Sequence, residues 1–191
     1  GQVLVDYDWE TYLDSFGFEP AKRERIAKAT FQSPVWDERD RGLYEEDVYL
    51  KQFQELDPED AEDIEKVIRG TGGTIHKRPY ADTWVKYLKS KGYHVYILSN
   101  YSSYMLDHTK KELTFRREMD GEVFSCYANQ LKPDAEIYQT ILNKYQLKPE
   151  ECVFIDDRPE NCRGAQEQGI HTICFKDFKQ VTADLEKLGV K

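Results

Sequence analysis

The 191-residue chain has no apolar run approaching membrane length, no C-x-x-C pair, no low-complexity tract, no internal repeat and no block of basic residues. Each absence removes a class of protein. Without about 20 consecutive apolar residues nothing here spans a bilayer as a helix. Asp and Glu outnumber Lys and Arg by 36 to 27, for a formal charge of −9. No Lys/Arg cluster is long enough to track a phosphate backbone, so nucleic acid is not an expected partner. The four cysteines, Cys126, Cys152, Cys162 and Cys174, are scattered, and three lie in or beside apolar segments. That distribution suits buried thiols in a reducing compartment, not a disulfide framework. No signal-peptide pattern is read. The expectation is a cytoplasmic, globular monomer or homodimer with no membrane partner.

What the chain does have is a stretch from Val153 to Asn161 in which an apolar strand runs into two adjacent carboxylates, Asp156 and Asp157, just before Pro159. At a strand's exit both acids can face the crevice where open α/β sheets bind ligands. Hard oxygen donors there suit Mg²⁺ beside a phosphate. The plainer reading is that they cap the next helix, which Pro159 begins.

The second half alternates helix and strand patterns: helices over 79–90, 102–113, 135–145 and 159–168, strands over 94–98, 123–127, 152–155 and 171–174. That rhythm means βαβ units around a parallel sheet. Residues 9–73 hold no convincing strand and show helical periods at 12–16, 21–31, 45–56 and 60–68, with Ile26/Thr30, Val48/Phe53 and Ile64/Val67/Ile68 at helical spacing. The expected organisation is an α/β core from 1–8 and 74–191 with an all-helical unit from 9–73. Gly70-Thr71-Gly72-Gly73 reads as a flexible joint between them, since it lacks the Lys-Ser/Thr ending of a phosphate-cradling P-loop.

The strand over 94–98 runs into Ser99-Asn100, placing a hydroxyl and an amide at the sheet's carboxyl edge. Ser99 alone is also an ordinary helix cap. Lys132 follows in a loop with Pro133, and singly it reads as a solvated surface charge. The order Ser-Asn, Lys-Pro, Asp-Asp carries more than any member. The chain resembles the haloacid dehalogenase superfamily, in which these are the second, third and fourth motifs. Within it, the helical unit looks like a C1 cap, and residues 1–9 are similar to the start of sugar-phosphate phosphatases of the glucose-1-phosphatase type. The resemblance implies a Rossmann-like parallel-sheet core and a Mg²⁺-dependent phosphatase acting on small phosphorylated metabolites, sugar phosphates first, through an aspartyl phosphate. It implies Ser99 and Asn100 as substrate contacts, and Lys132 neutralising phosphate and nucleophile. It also implies Asp157 on Mg²⁺ with Asp156 and Asn161 in support, and the Gly1 carbonyl as a further ligand.

The start of the chain departs from the family pattern. Aligning Gly1–Asp6 with the first motif places the nucleophilic aspartate, and the strand bearing it, ahead of Gly1. Gly1 then stands where an aspartate usually transfers protons, work typically worth about 10² to 10⁴ in rate, so turnover is expected to be modest. Alternatively, Val3-Leu4-Val5 is the strand and Asp6 and Asp8 the acid pair. A non-catalytic phosphate- and Mg²⁺-binding protein, or a metal-independent haloacid dehalogenase, are the competing functions. The stretch Trp36–Arg41 and the run His76-Lys77-Arg78 are candidates for touching an anionic substrate, or plain solvated charge.

Overall fold

The computed structural model describes residues 2–190. Two short antiparallel strands mark where the helical segment leaves and rejoins the chain. β1 (Val5–Tyr7) pairs with β2 (Ile75–Lys77), with Val5 opposite Lys77 and Tyr7 opposite Ile75. Between them run α1 (Trp9–Asp14), α2 (Pro20–Ala29), α3 (Pro34–Arg41), α4 (Glu46–Leu56) and α5 (Ala61–Arg69). Their starts follow from local chemistry. The Asp8 carboxylate accepts the Thr11 amide at 3.0 Å, and prolines open α2 and α3, where a missing N–H costs no helical bond. α3 stops at Gly42, in the left-handed region at φ 72°. A Cβ there would meet the Cys126 backbone at 2.7 Å.

The five helices close around Leu13, Ile26, Phe53, Ile64 and Val67, all fully buried, with Trp9, Tyr12, Phe16 and Trp36 packed on the outside of that cluster. Val48, expected to pair with Phe53, instead faces outward, and Tyr49 and Leu50 fill the interior. The helix starts at Glu46, so its apolar stripe runs one residue later than the sequence spacing indicated.

The 70–73 stretch is not a flexible joint. Thr71–Thr74 forms a 3-10 turn whose two threonines are fully buried. The Thr71 hydroxyl donates to Ile68 O and the Thr74 hydroxyl to Thr71 O, both at 2.8 Å. Short hydroxyl side chains satisfying nearby carbonyls make this loop a packed one.

The remainder is an α/β unit. α6 (Ala81–Ser90) leads to β3 (Tyr96–Ser99), α7 (Ser103–His108), β4 (Gly121–Phe124), the short α8 (Ser125–Ala128) and α9 (Ala135–Tyr145). Then come β5 (Val153–Asp156), α10 (Pro159–Glu167), β6 (His171–Cys174) and α11 (Phe178–Lys187). β3 lies parallel to β4 with Ser99 opposite Phe124, and β5 parallel to β6 with Asp156 opposite Cys174. The fold class is α/β with parallel strands. The strand expected at 123–127 sits earlier, because Gly121 leaves the room that the Tyr145 ring occupies 2.2 Å from where a Cβ would stand. The helix expected over 102–113 ends at His108.

The two parallel pairs are separate sheets, and no described strand joins β3 to β5. Tyr96, Ile97 and Leu98 on one side and Val153, Phe154 and Ile155 on the other are only partly buried. Strands flanked by helices normally bury both faces.

α10 approaches the Lys132–Pro133 loop through Gly164, where an added Cβ would stand 2.4 Å from Pro133 O and 3.0 Å from the Tyr138 ring. Gly164→Ala is therefore expected to destabilise the protein by about 1–3 kcal/mol through overpacking, seen as a lower urea midpoint. An unchanged midpoint would show that α10 can slide away without loss.

Candidate active site

Ser99 ends β3 and the chain turns at once, because Ser102 caps α7 through a bond from the Met105 amide at 3.2 Å. Ser125 holds the turn from below, accepting the Tyr101 amide at 2.8 Å. Asn100 faces the next loop. Its amide nitrogen donates to Lys132 O at 3.0 Å and its amide oxygen accepts the Lys132 N–H at 2.9 Å. This two-point clamp uses the whole Asn100 side chain, so any contact it makes with a substrate falls to its backbone.

Clamped in this way, the Lys132 side chain crosses to the other parallel pair. Its ammonium donates to Leu98 O at 3.1 Å and to Asp156 Oδ2 at 2.6 Å, and both charged groups are almost wholly buried. Sequence alone had allowed this lysine to be a surface charge. Removing an ion pair from water is costly unless its remaining valences are met. They are: Asp156 Oδ1 accepts the Arg158 amide at 3.0 Å and the Asn161 side-chain nitrogen at 2.9 Å, and Asn161 is held by the Tyr138 hydroxyl on its carbonyl at 2.7 Å. Burial by itself would raise the Asp156 pKa. The Lys132 charge and the hydrogen bonds from Lys132 and Arg158 outweigh it and hold this carboxyl below the usual range.

The two adjacent acids thus differ. Asp156 has its oxygens committed, whereas the partly buried Asp157 carboxylate has no hydrogen-bond or ion-pair partner among the described residues. The Asn161 side-chain oxygen is likewise buried without one. The Ser99 hydroxyl, 9% exposed, touches only the Asn100 carbonyl at 3.3 Å. The structure therefore brings Ser99, Asn100, Lys132, Asp156 and Asp157 to one edge. Gly1, the remaining expected ligand, lies outside the described residues. No three His, Cys, Asp or Glu side chains gather as a metal cluster among those described. An unpaired carboxylate with a second hard oxygen nearby still fits Mg²⁺, which keeps waters and phosphate oxygens in its shell.

The other candidates lie elsewhere or are otherwise engaged. Asp6 pairs with Arg78 at 3.3 Å and Asp8 caps α1, so the alternative acid pair belongs to the β1–β2 ribbon. Lys77 is bound by Asp82 at 2.5 Å, and His76 is exposed. Within the charged stretch, Arg39 is buried, bidentate to Glu46 at 2.6 and 3.0 Å and set between the Trp36 and Tyr104 rings. Sequence reasoning missed Tyr138 and Ser125, and took Arg39 only as part of the 36–41 stretch, a substrate contact or solvated charge. α3 was not expected as a helix, and nothing signalled which of its charges would turn inward.

A model of haloacid dehalogenase-like hydrolases matches residues 9–169. The chain belongs to that family. Flavin mononucleotide hydrolase 1 of Arabidopsis thaliana is 26% identical over 156 residues, 82% of this chain and 62% of its own length. The chain thus spans under two thirds of that relative. Sesquiterpene phosphatase astK of Aspergillus oryzae is 26% identical over 157 residues, 82% of this chain and 80% of its own. A haloacid dehalogenase family enzyme of Bacteroides thetaiotaomicron, crystallised with magnesium and inorganic phosphate, shares the fold. Its TM-score is 0.72 at 21% identity, covering 95% of this chain and 94% of that one. No described helix is long and apolar enough to cross a membrane.

Lys132→Met would leave the Asp156 carboxylate buried and unpaired, a loss of about 3–5 kcal/mol at neutral pH. A depressed carboxyl pKa stabilises the fold above the unfolded value near 3.9 and ceases to do so as pH falls through the folded value. The stability gap between the native protein and this variant, measured by urea unfolding, is therefore expected to narrow as pH drops below about 4. A gap independent of pH would remove the ion pair from its cause.

Proposed function

We propose that this haloacid dehalogenase-like hydrolase is a Mg²⁺-dependent phosphatase of small phosphomonoesters, sugar phosphates among them, working through an aspartyl phosphate. The observation that carries the reading is the buried Lys132 ammonium, fixed between the Leu98 carbonyl and Asp156 at the carboxyl ends of β3 and β5. A phosphomonoester brings two negative charges beside carboxylates, so cationic charge must be in place before a nucleophile approaches. Lys132 supplies a fixed part of it, directed by the Asn100 clamp. Ser99 offers a hydroxyl to the transferring phosphoryl group. Asp157, supported by Asp156, would hold Mg²⁺, which when bound neutralises phosphoryl oxygens and orients the ester.

The nucleophilic aspartate belongs, in this reading, on a strand ahead of Gly1. The unjoined edges of β3 and β5 support that position, since a parallel strand inserted between them would pair backbone groups on both sides. Residues 9–73 would act as the cap that limits substrate size and excludes water, over a core of 1–8 and 74–191. Metal-free dehalogenation fits less well, because without a metal the unpaired Asp157 at the end of β5 would repel a carboxylate substrate.

The test is hydrolysis of 4-nitrophenyl phosphate by the natural full-length protein, with Mg²⁺ and with a chelator. Turnover only with the metal, abolished by Asp157→Asn while the fold is retained, is the expected result. Undiminished activity in Asp157→Asn would overturn the metal assignment. Silence of the native protein on every phosphomonoester tried would favour a binding protein over an enzyme.

A further inference from the structure

Helix α3 ends on the α/β unit. The last carbonyls of a helix have no partner inside it, and at the end of α3 they are taken by side chains from either end of α8. The Asp40 carbonyl accepts the Ser125 hydroxyl at 2.5 Å, and the Arg41 and Gly42 carbonyls each accept the Asn129 side-chain amide at 3.1 Å. The backbones are also in close contact there. Gly42 lies so near Cys126 that an added Cβ would stand 2.7 Å from the Cys126 Cα.

Both donors adjoin the candidate site. The fully buried Ser125 hydroxyl accepts the Tyr101 amide at 2.8 Å, two residues past Ser99, and Asn129 stands three residues ahead of Lys132. Their bonds to α3 are also easy to exchange. A hydroxyl has one proton to give. Here it goes to Asp40 O, while Tyr101 O stands 3.5 Å away as a second acceptor. With α3 withdrawn, the proton can turn to Tyr101, so no buried donor is stranded. Asn129 is exposed, and its amide keeps water and the Cys126 carbonyl at 3.5 Å.

We propose that Ser125 and Asn129 are positioning residues, a releasable latch that holds the helical segment in place while substrate is bound. The proposal rests on the reading above, in which residues 9–73 cap a phosphatase site. Neither residue touches the ester. They act by setting the fraction of molecules with the cap in place, and apparent affinity scales with the fraction competent to bind. Asn129 follows α8 in left-handed backbone at φ 54°, a conformation that Asn, Asp and Gly all accept. Exchanges among these three therefore separate the side-chain amide from the turn it sits on.

The experiment follows iodoacetamide capture of Cys126 in the full-length protein, read by peptide mass. Cys126 is buried beneath Gly42, so release of α3 uncovers it, whereas Cys162, buried on α10, reports unfolding of the core. Asn129→Gly removes the donor and is expected to speed Cys126 capture about 5-fold, the worth of a typical hydrogen bond, with Cys162 unchanged. Asn129→Asp turns an acceptor toward both carbonyls and is expected to speed it further. In both variants KM for 4-nitrophenyl phosphate with Mg²⁺ should rise while kcat holds. Capture rates equal to the native protein's, or Cys126 and Cys162 quickening together, would overturn the latch. Selective capture of Cys126 with KM unmoved would overturn the positioning role. A native protein inert toward every phosphomonoester tried would overturn the phosphatase reading, and the capture rates would still judge the latch.

Discussion

The ion pair between Lys132 and Asp156 is the constraint on which the rest of the molecule depends. A lysine and a carboxylate removed from water are tolerable only when every remaining valence is met. Here that demand recruits the Leu98 carbonyl, the Arg158 amide and the Asn161 side chain directly. It recruits Asn100 and Tyr138 one step away. The pair therefore links the ends of β3 and β5, which no ladder among the described residues connects. It also leaves the neighbouring Asp157 without a partner among the described residues, so two acids that look equivalent in sequence become chemically different.

The helical segment also meets the α/β unit. Its own interior is apolar and self-contained, yet at the end of α3 the Asp40 carbonyl accepts the Ser125 hydroxyl and the Arg41 and Gly42 carbonyls accept the Asn129 side-chain amide. Arg39 anchors that helix from behind, its guanidinium held by Glu46 and set over two aromatic rings. A packed 3-10 turn at Thr71–Thr74, instead of a loose glycine joint, sets how the segment returns to the core.

Much of this was legible in the residue order. The alternation of short apolar runs with helical periods identified parallel βαβ units, and α9 and β6 fall where their periods end. Ser99, Lys132 and Asp156-Asp157 were legible as a set because their order along the chain carries family information that none has singly. The strand at Gly121–Phe124 was misjudged because a missing side chain at Gly121 answers to Tyr145, 24 residues on in sequence but in contact in space. The 70–73 stretch was misjudged because glycine content suggests freedom, while the packing of Tyr12 against Gly70 and Gly73 removes it.

By itself the sequence determined the class of fold, the run of helices ahead of the parallel strands, and the residue types of the candidate site. Periodicity and motif order are local properties, written in spacings of two to seven residues. Only the tertiary structure decided which of two aspartates is spent on Lys132, that Asn100 clamps backbone instead of facing outward, and that Arg39 turns inward. Those outcomes depend on burial and on partners far away in the chain, and electrostatic character in a protein is set by who is near and how much water is left.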